Sequence, residues 1–269
     1  MPENDLALLI DAAMAAGEIA QRHFRTDHMV WQKDDGQGPV TEADLEVDRM
    51  LRETLTAARP GYGWMSEETP DDAARLGKSR LFVVDPIDGT RAFTEGQSAW
   101  AHSLAVVEDG AVTDAVVFLP MLERMFTARR GAGARLNGAP MAASRRERIA
   151  GATMLAARGT LDPRHWPDVP PPVERHFRSS LAYRLSLVGA GRFDCMLTLR
   201  QSWEWDIAAG ALIATEAGAT VSDRMGRPLR FNTPGRQTDG VAAAAPGIHK
   251  EILPRDRAWV PDGVKRPGP

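Results

Sequence analysis

The hexapeptide Asp85-Pro86-Ile87-Asp88-Gly89-Thr90 combines residue types that can bind a metal ion and a phosphate group within one turn. It follows the apolar run Leu81-Phe82-Val83-Val84, so its two carboxylates are expected at the end of a buried strand. Pro86 restricts the backbone and Gly89 permits a positive φ, which allows both carboxylates and an intervening carbonyl to point at one place. Oxygen ligands of this kind suit Mg²⁺. An ordinary acidic turn after a strand is the alternative.

The end of the same hexapeptide predicts an anion site. Gly89 and Thr90 stand at the predicted start of a helix, where free backbone N–H groups and the positive end of the helix dipole attract anions such as phosphate. We therefore interpret Gly89 and Thr90 as phosphate-binding residues beside a cation site.

Two further acidic segments fit the same chemistry, and each also has a structural interpretation. Ser66-Glu67-Glu68 follows a short apolar stretch, but paired acids usually form a solvated charged surface. Trp205-Asp206-Ile207-Ala208-Ala209-Gly210 opens a predicted helix, but an acid at a helix start is favoured by the helix dipole whatever its function.

Taken together, the three segments resemble the motifs of the inositol monophosphatase family, in the same order and at similar spacing. That family includes 3'(2'),5'-bisphosphate nucleotidases and histidinol-phosphate phosphatases, and the resemblance extends from about Leu6 to about His249. It implies a Mg²⁺-dependent phosphomonoesterase that uses two or three metal ions. Such ions would lower the pKa of a bound water and neutralise the phosphoryl oxygens, so hydrolysis would need no protein nucleophile.

The resemblance also implies a role for each residue of the site. Glu68 would be a supporting or third-metal residue, and Glu67 would count among the catalytic residues as well as the ligands. The implied metal ligands are Glu67, Asp85, the Ile87 carbonyl, Asp88 and Asp206.

Asp44 has two compatible interpretations. Thr41-Glu42-Ala43-Asp44 is typical of a capping box, in which the Asp44 carboxylate accepts from a free backbone N–H at the start of a helix. By resemblance, Asp44 and Thr90 would instead form the catalytic pair that orients the attacking water.

The sequence limits the choice of substrate without deciding it. In inositol-specific members a Glu just before the last metal-binding Asp contacts the sugar-alcohol hydroxyls, whereas the corresponding stretch here, Leu199-Arg200-Gln201-Ser202, has no acid. Arg200 is therefore a candidate contact to a second phosphate, and Arg91 and Arg184 are further candidates with surface or structural roles as the alternative. The expected substrates are inositol monophosphate-type esters or 3'-phosphoadenosine 5'-phosphate, with histidinol phosphate and fructose 1,6-bisphosphate as alternatives.

A regulatory protein that binds RNA or a protein partner on the same fold is the alternative of another class. The formal net charge of -3 over 269 residues supplies no electrostatic reason to expect nucleic acid or an acidic membrane as the main partner. No apolar run approaches the roughly 18 residues of a membrane span, and the N-terminus lacks the basic region of a signal peptide. Cys195 is the only cysteine. We expect a cytoplasmic enzyme.

The elements that must position these residues are mixed helices and strands. The resemblance implies a layered αβαβα sandwich of the sugar-phosphatase type and a homodimer. A basic, polar stretch near Met141 to Arg148 suggests a boundary between an N-terminal α+β half (residues 1–145) with most metal ligands and a C-terminal α/β half (146–269) with Asp206 and substrate contacts. Asp109-Gly110 and Asn137-Gly138 predict tight turns, and His102 is interpreted as a structural histidine.

Overall fold

The computed structural model describes residues 4–26, 30–32, 39–166 and 169–253. Across these ranges the α-helices are α1 (Asp5–His23), α2 (Glu42–Ala58), α3 (Thr90–Thr94), α4 (Leu181–Gly189) and α5 (Glu204–Glu216). The strands of the first half are β1 (Val30–Gln32), β2 (Pro39–Thr41), β3 (Gly63–Ser66), β4 (Arg80–Asp88), β5 (Ala101–Glu108), β6 (Ala111–Leu119), β7 (Arg124–Arg129), β8 (Ala134–Leu136) and β9 (Ala139–Pro140). Those of the second half are β10 (Thr153–Leu155), β11 (Glu174–His176), β12 (Cys195–Thr198), β13 (Ser202–Trp203), β14 (Thr220–Ser222), β15 (Gln237–Thr238) and β16 (Val241–Ala244).

The elements stack in alternating layers. Strands β3 to β9 form one sheet in sequence order, and a second sheet has the order β11-β10-β12-β16-β14. Helices α1 and α2 cover the outer face of the first sheet, while α4 and α5 lie between the two sheets. Short 3₁₀ helices, including His249–Ile252, cover the far side of the second sheet. The order helix, sheet, helix, sheet, helix agrees with the αβαβα sandwich expected from the sequence.

The central strands are apolar on both faces because both faces of the first sheet are covered. Along β5, Leu104 and Val106 face α1 and α2, whereas Ala105 and Val107 face α5. The same alternation in β4 directs Asp85 to the α5 side of the sheet, which is the side that Leu81 and Val83 also face. Strand pleating therefore places a carboxylate in the layer that also contains Asp206.

Local sequence signals explain where several elements begin. The Thr41 hydroxyl and the Asp44 carboxylate form the expected capping box at the start of α2. Asp109 and Gly110 both have positive φ, 50° and 80°, and form the predicted turn between β5 and β6. Asn137 and Gly138 repeat this conformation between β8 and β9.

The proposed boundary near residue 145 stays a prediction. The two halves share their largest hydrophobic cluster, which includes β5 and β6 from the first half and α4, α5 and β16 from the second.

Within the described residues, no helix is both long and apolar enough to cross a membrane.

Helices α4 and α5 approach each other closely at Gly210. A Cβ at this position would lie 2.6 Å from Leu185 Cβ and 3.0 Å from the Ala182 carbonyl oxygen. Any larger residue at this position would therefore force α4 and α5 apart. The contact matters for the site because α5 carries Asp206 one turn before Gly210.

We expect Gly210→Ala to destabilise the protein by about 1–3 kcal/mol, because overpacking outweighs the roughly 1 kcal/mol gain in helix propensity. Urea unfolding monitored by circular dichroism measures the change. Gly77→Ala is the matched control, since a Cβ at Gly77 meets no atom within 4 Å. Equal midpoints for Gly210→Ala and the unmodified chain would contradict the packing argument.

Candidate active site

The end of β4 carries the central turn of the site. Asp85 pairs with Ser103 of β5 and Asp88 pairs with Ala101, so the register shifts by one residue between them. Gly89 follows with φ 100° and precedes the five-residue helix α3. This conformation favours glycine, as the sequence suggested.

Three carboxylates converge beside this turn. Glu67, Asp85 and Asp206 each place an oxygen atom within 4.8 Å of the others. Asp85 is 1% exposed, and its Oδ1 atom has no hydrogen-bond partner among the described residues. Burial, followed by the charges of Glu67, Asp88, Asp206 and Asp44, raises the pKa of Asp85 well above its ordinary value. An orphaned buried oxygen within an all-carboxylate cluster fits a divalent cation such as Mg²⁺.

Asp48, which the sequence reasoning missed, anchors the segment that carries Glu67. Its carboxylate accepts hydrogen bonds from the Ser66 hydroxyl at 2.5 Å and from the Thr69 hydroxyl at 2.7 Å. Glu67 thus lies between two anchored neighbours. Asp48 is one helical turn after Asp44, and two acids on the apolar face of the helix, beside Val47 and Leu51, were the available signal.

Glu204, also missed from the sequence, anchors the start of α5. It is fully buried and accepts hydrogen bonds from the backbone N–H groups of Asn232 (2.6 Å) and Thr233 (3.0 Å) and from the Thr233 hydroxyl (2.5 Å). Burial raises its pKa, while these hydrogen bonds oppose the rise. The Ser103 hydroxyl donates to the Trp205 carbonyl oxygen at 2.9 Å, so α5 is also tied to β5 immediately before Asp206.

Asp88 lines the same pocket as the three-carboxylate cluster and caps α4. Its Oδ2 atom accepts from the Ser180 hydroxyl at 2.6 Å and from the Ala182 backbone N–H at 2.7 Å, and its Oδ1 accepts from the Leu181 N–H at 3.3 Å. Burial raises the pKa of Asp88 to about 6 in spite of these hydrogen bonds. The role of Asp88 as a metal ligand therefore stays a prediction, and the geometry assigns it a second function at the start of α4.

The structure brings Asp44 and Thr90 together. The Thr90 hydroxyl lies 3.4 Å from Asp44 Oδ1 and 3.1 Å from the Ile87 carbonyl oxygen. The other carboxylate oxygen of Asp44 accepts from the Thr41 backbone N–H at 2.8 Å. One carboxylate therefore caps α2 with one oxygen and faces Thr90 with the other, and its role in orienting water stays a prediction.

The cluster opens into a pocket of about 870 Å³ that has an acidic and a basic wall. Within the described part of the chain, Glu67 lines this pocket and Glu68 does not. The basic wall contains the predicted candidates and one arginine that the sequence reasoning missed, Arg178. Its members are Arg91, Arg178, Arg184 and Arg200.

Arg184 is the most buried of these arginines. Burial lowers its pKa to about 10, while Asp88 and Asp206 oppose the shift and Arg200 adds to it. Its guanidinium donates to the Arg178 carbonyl oxygen at 2.5 Å and lies 4.4 Å from the centre of the Phe177 ring. Among the described residues, none of the four arginines forms an ion pair with a carboxylate, unlike Arg59 with Asp5 elsewhere in the chain. The four guanidinium groups give this wall of the pocket a positive charge.

Comparisons with known proteins identify the family of this chain. The model of the inositol monophosphatase family matches residues 1–258. An inositol-1-monophosphatase of Rhizobium meliloti is 33% identical over 262 residues, which cover 93% of this chain and 97% of that protein. The Nus factor SuhB of Pseudomonas aeruginosa is 34% identical over 235 residues, which cover 82% of this chain and 86% of that protein.

A solved structure extends the agreement to the fold. An IMPase of Thermotoga maritima matches with a TM-score of 0.80 and 29% identity, and the match covers 93% of this chain and 95% of that one. The carboxylate cluster, the layered fold and these similarities lead to one conclusion: the chain belongs to the inositol monophosphatase family of phosphatases.

Proposed function

We propose that this protein is a Mg²⁺-dependent phosphomonoesterase that hydrolyses a small phosphate ester with water as the nucleophile. The observation that carries the proposal is the cluster of Glu67, Asp85 and Asp206 beside the Asp44–Thr90 pair in one pocket. When bound, Mg²⁺ would supply charge neutralisation at the phosphoryl group and acidify a water ligand. The Ile87 carbonyl and Asp88 are the further ligands we propose.

The other residues of the pocket would position the reactants. The single hydrogen of the Thr90 hydroxyl can be donated to Asp44 Oδ1 or to the Ile87 carbonyl oxygen, which leaves the lone pairs of Thr90 to accept a hydrogen bond from the attacking water. We assign the N–H groups of Gly89 and Thr90 to the phosphoryl oxygens. Cys195 is unsuited to nucleophilic attack, because burial raises the pKa of its thiol to about 12.

The basic wall favours a substrate with a second anionic group. A single phosphate held beside the carboxylate cluster does not need four guanidinium groups, and a second anionic group would find Arg184, the buried one of the four, together with its three neighbours. The ring of Phe177 is 48% exposed, lines the same pocket and is backed by Arg184. We therefore place 3'-phosphoadenosine 5'-phosphate and fructose 1,6-bisphosphate ahead of inositol monophosphates and histidinol phosphate.

A regulatory role in binding RNA or a protein partner is the second candidate. The similarity to a relative named Nus factor SuhB supports it. The convergent carboxylates argue for catalysis, because their mutual repulsion destabilises the fold and binding a partner does not require them.

A cytoplasmic location and a homodimer stay predictions. Light scattering after gel filtration tests the dimer.

We expect Asp85→Asn to lower Mg²⁺-dependent phosphate release by at least about 100-fold, because it removes the carboxylate at the centre of the cluster. Phosphate release is measured with the four candidate esters, with and without Mg²⁺. Asp109→Asn, in the turn between β5 and β6, is the matched control and should retain full activity. A folded protein that binds Mg²⁺ but releases phosphate from none of the esters would contradict the proposal and favour the regulatory alternative.

Asp85 and Asp88 should destabilise the metal-free protein as the pH rises. Asp85 and Asp88 have raised pKa values in the folded state, so between about pH 4 and at least pH 6 the folded protein retains protons that the unfolded chain releases. The contribution of these two carboxylates to the free energy of unfolding in EDTA should therefore fall over this interval, whereas His102 and His249, whose pKa values burial lowers, contribute in the opposite direction. Asp85→Asn should reduce the slope and raise the unfolding free energy at pH 7. Urea unfolding across the interval tests this expectation, and parallel profiles for the two proteins would contradict it.

Arg200→Ala should lower kcat/KM for the two bisphosphates by about 10- to 100-fold, the range for loss of a charge-assisted hydrogen bond. The value for inositol-1-phosphate should change less than about twofold. Arg192→Ala, an exposed arginine outside the pocket, serves as the control. Equal losses on both classes of ester would mean that Arg200 does not contact a second anion.

A further inference from the structure

His102 lies on β5 directly beside the turn that carries the metal-site carboxylates. It is fully buried, 5.5 Å from Trp100 and 6.3 Å from Phe118 between ring centres. Its Nδ1 atom is 2.5 Å from the Pro86 carbonyl oxygen. Its Nε2 atom has no hydrogen-bond partner among the described residues. Because a carbonyl oxygen only accepts, His102 must carry its proton on Nδ1 in this arrangement.

The turn needs this donor because its strand pairing is interrupted. Asp85 pairs with Ser103 and Asp88 with Ala101, so Pro86 and Ile87 together face the single residue His102. Such a bulge disrupts the ladder of backbone hydrogen bonds, and proline has no N–H of its own to contribute. The side chain of His102 thus replaces a missing backbone donor at the Pro86 carbonyl.

Fixing the Pro86 carbonyl fixes the direction of the residues around it. The next carbonyl, that of Ile87, accepts from the Thr90 hydroxyl at 3.1 Å. Two consecutive peptide units are therefore held by side-chain donors from different parts of the chain. Asp85 lies immediately before this pair of peptides and Asp88 immediately after it, so their relative orientation depends on both hydrogen bonds.

We propose that His102 is a positioning residue, whose Nδ1–H holds the Pro86 carbonyl in the bulge and thereby sets the affinity of the carboxylate cluster for Mg²⁺. The inference rests on the proposed function, because it assumes that the cluster binds this ion. The competing explanation is that the imidazole only fills space between Trp100 and Phe118.

Two substitutions separate positioning from packing. His102→Asn retains an N–H near the position of Nδ1, whereas His102→Leu retains much of the volume and loses the donor. We expect His102→Leu to weaken Mg²⁺ binding by about tenfold or more, as removal of groups that orient metal ligands usually does. His102→Asn should remain within about threefold of the unmodified protein. Isothermal titration with MgCl₂ in the absence of substrate measures both.

Leu104→Val is the matched control, since Leu104 faces the same hydrophobic cluster two residues along β5 and pairs with Val84, before the turn begins. It should lower the melting temperature without changing Mg²⁺ affinity. Equal Mg²⁺ affinities for His102→Asn and His102→Leu would overturn the positioning role. Absence of Mg²⁺ binding by the unmodified protein would instead overturn the proposed metal site itself.

A second measurement does not depend on the variants folding. Nitrogen-15 NMR of the unmodified protein reports which ring nitrogen of His102 carries the proton. A proton on Nδ1 is the expected result. A proton on Nε2 would overturn the proposal, because that tautomer has no N–H to donate to Pro86.

Discussion

Repulsion between buried carboxylates is the constraint on which the rest of this structure depends. Asp85 is almost completely buried, and the neighbouring acids raise its pKa well above the ordinary value. In the absence of a cation this arrangement opposes folding, because several negative charges are held close together in a region of low polarity. A divalent cation at this cluster would remove the repulsion. Without one, the fold must supply enough stability elsewhere to hold the cluster together.

The supporting hydrogen bonds come mainly from acids outside the cluster. Asp48 holds Ser66 and Thr69 on either side of Glu67, and Glu204 holds the loop at Asn232 and Thr233 against the start of α5. Asp44 and Asp88 accept N–H donors at the starts of α2 and α4. Each of these carboxylates exchanges water for fixed donors, which lowers the cost of burying its charge. The ligands are thus placed by their neighbours and by strand pleating.

The pocket combines this acidic wall with a basic one. The carboxylates suit a cation, whereas Arg91, Arg178, Arg184 and Arg200 suit anions. A phosphate ester bound between the walls would meet metal at its reacting end and guanidinium groups at its other end. This division explains how a chain with a net charge of -3 can attract an anionic substrate.

The sequence by itself determined the features that depend on neighbours in the chain. The capping box at Thr41 and Asp44, the turn at Asp109-Gly110 and the αL glycine at Gly89 all follow from residue type and spacing over a few positions. The order of the three acidic motifs was likewise enough to identify the family. The capping and turn signals are local, so they can be read from the sequence without knowledge of the fold.

Only the tertiary structure decided which donors meet which acceptors across long separations. Asp88 caps a helix that begins more than ninety residues later, Glu204 binds a loop near residue 232, and His102 completes a bulge on the adjacent strand. Arg178 enters the pocket although nothing near it in sequence marks a site. The physical reason is that periodicity reports which face of an element is buried, whereas a buried polar group is satisfied by whatever the folded chain places within about 3 Å.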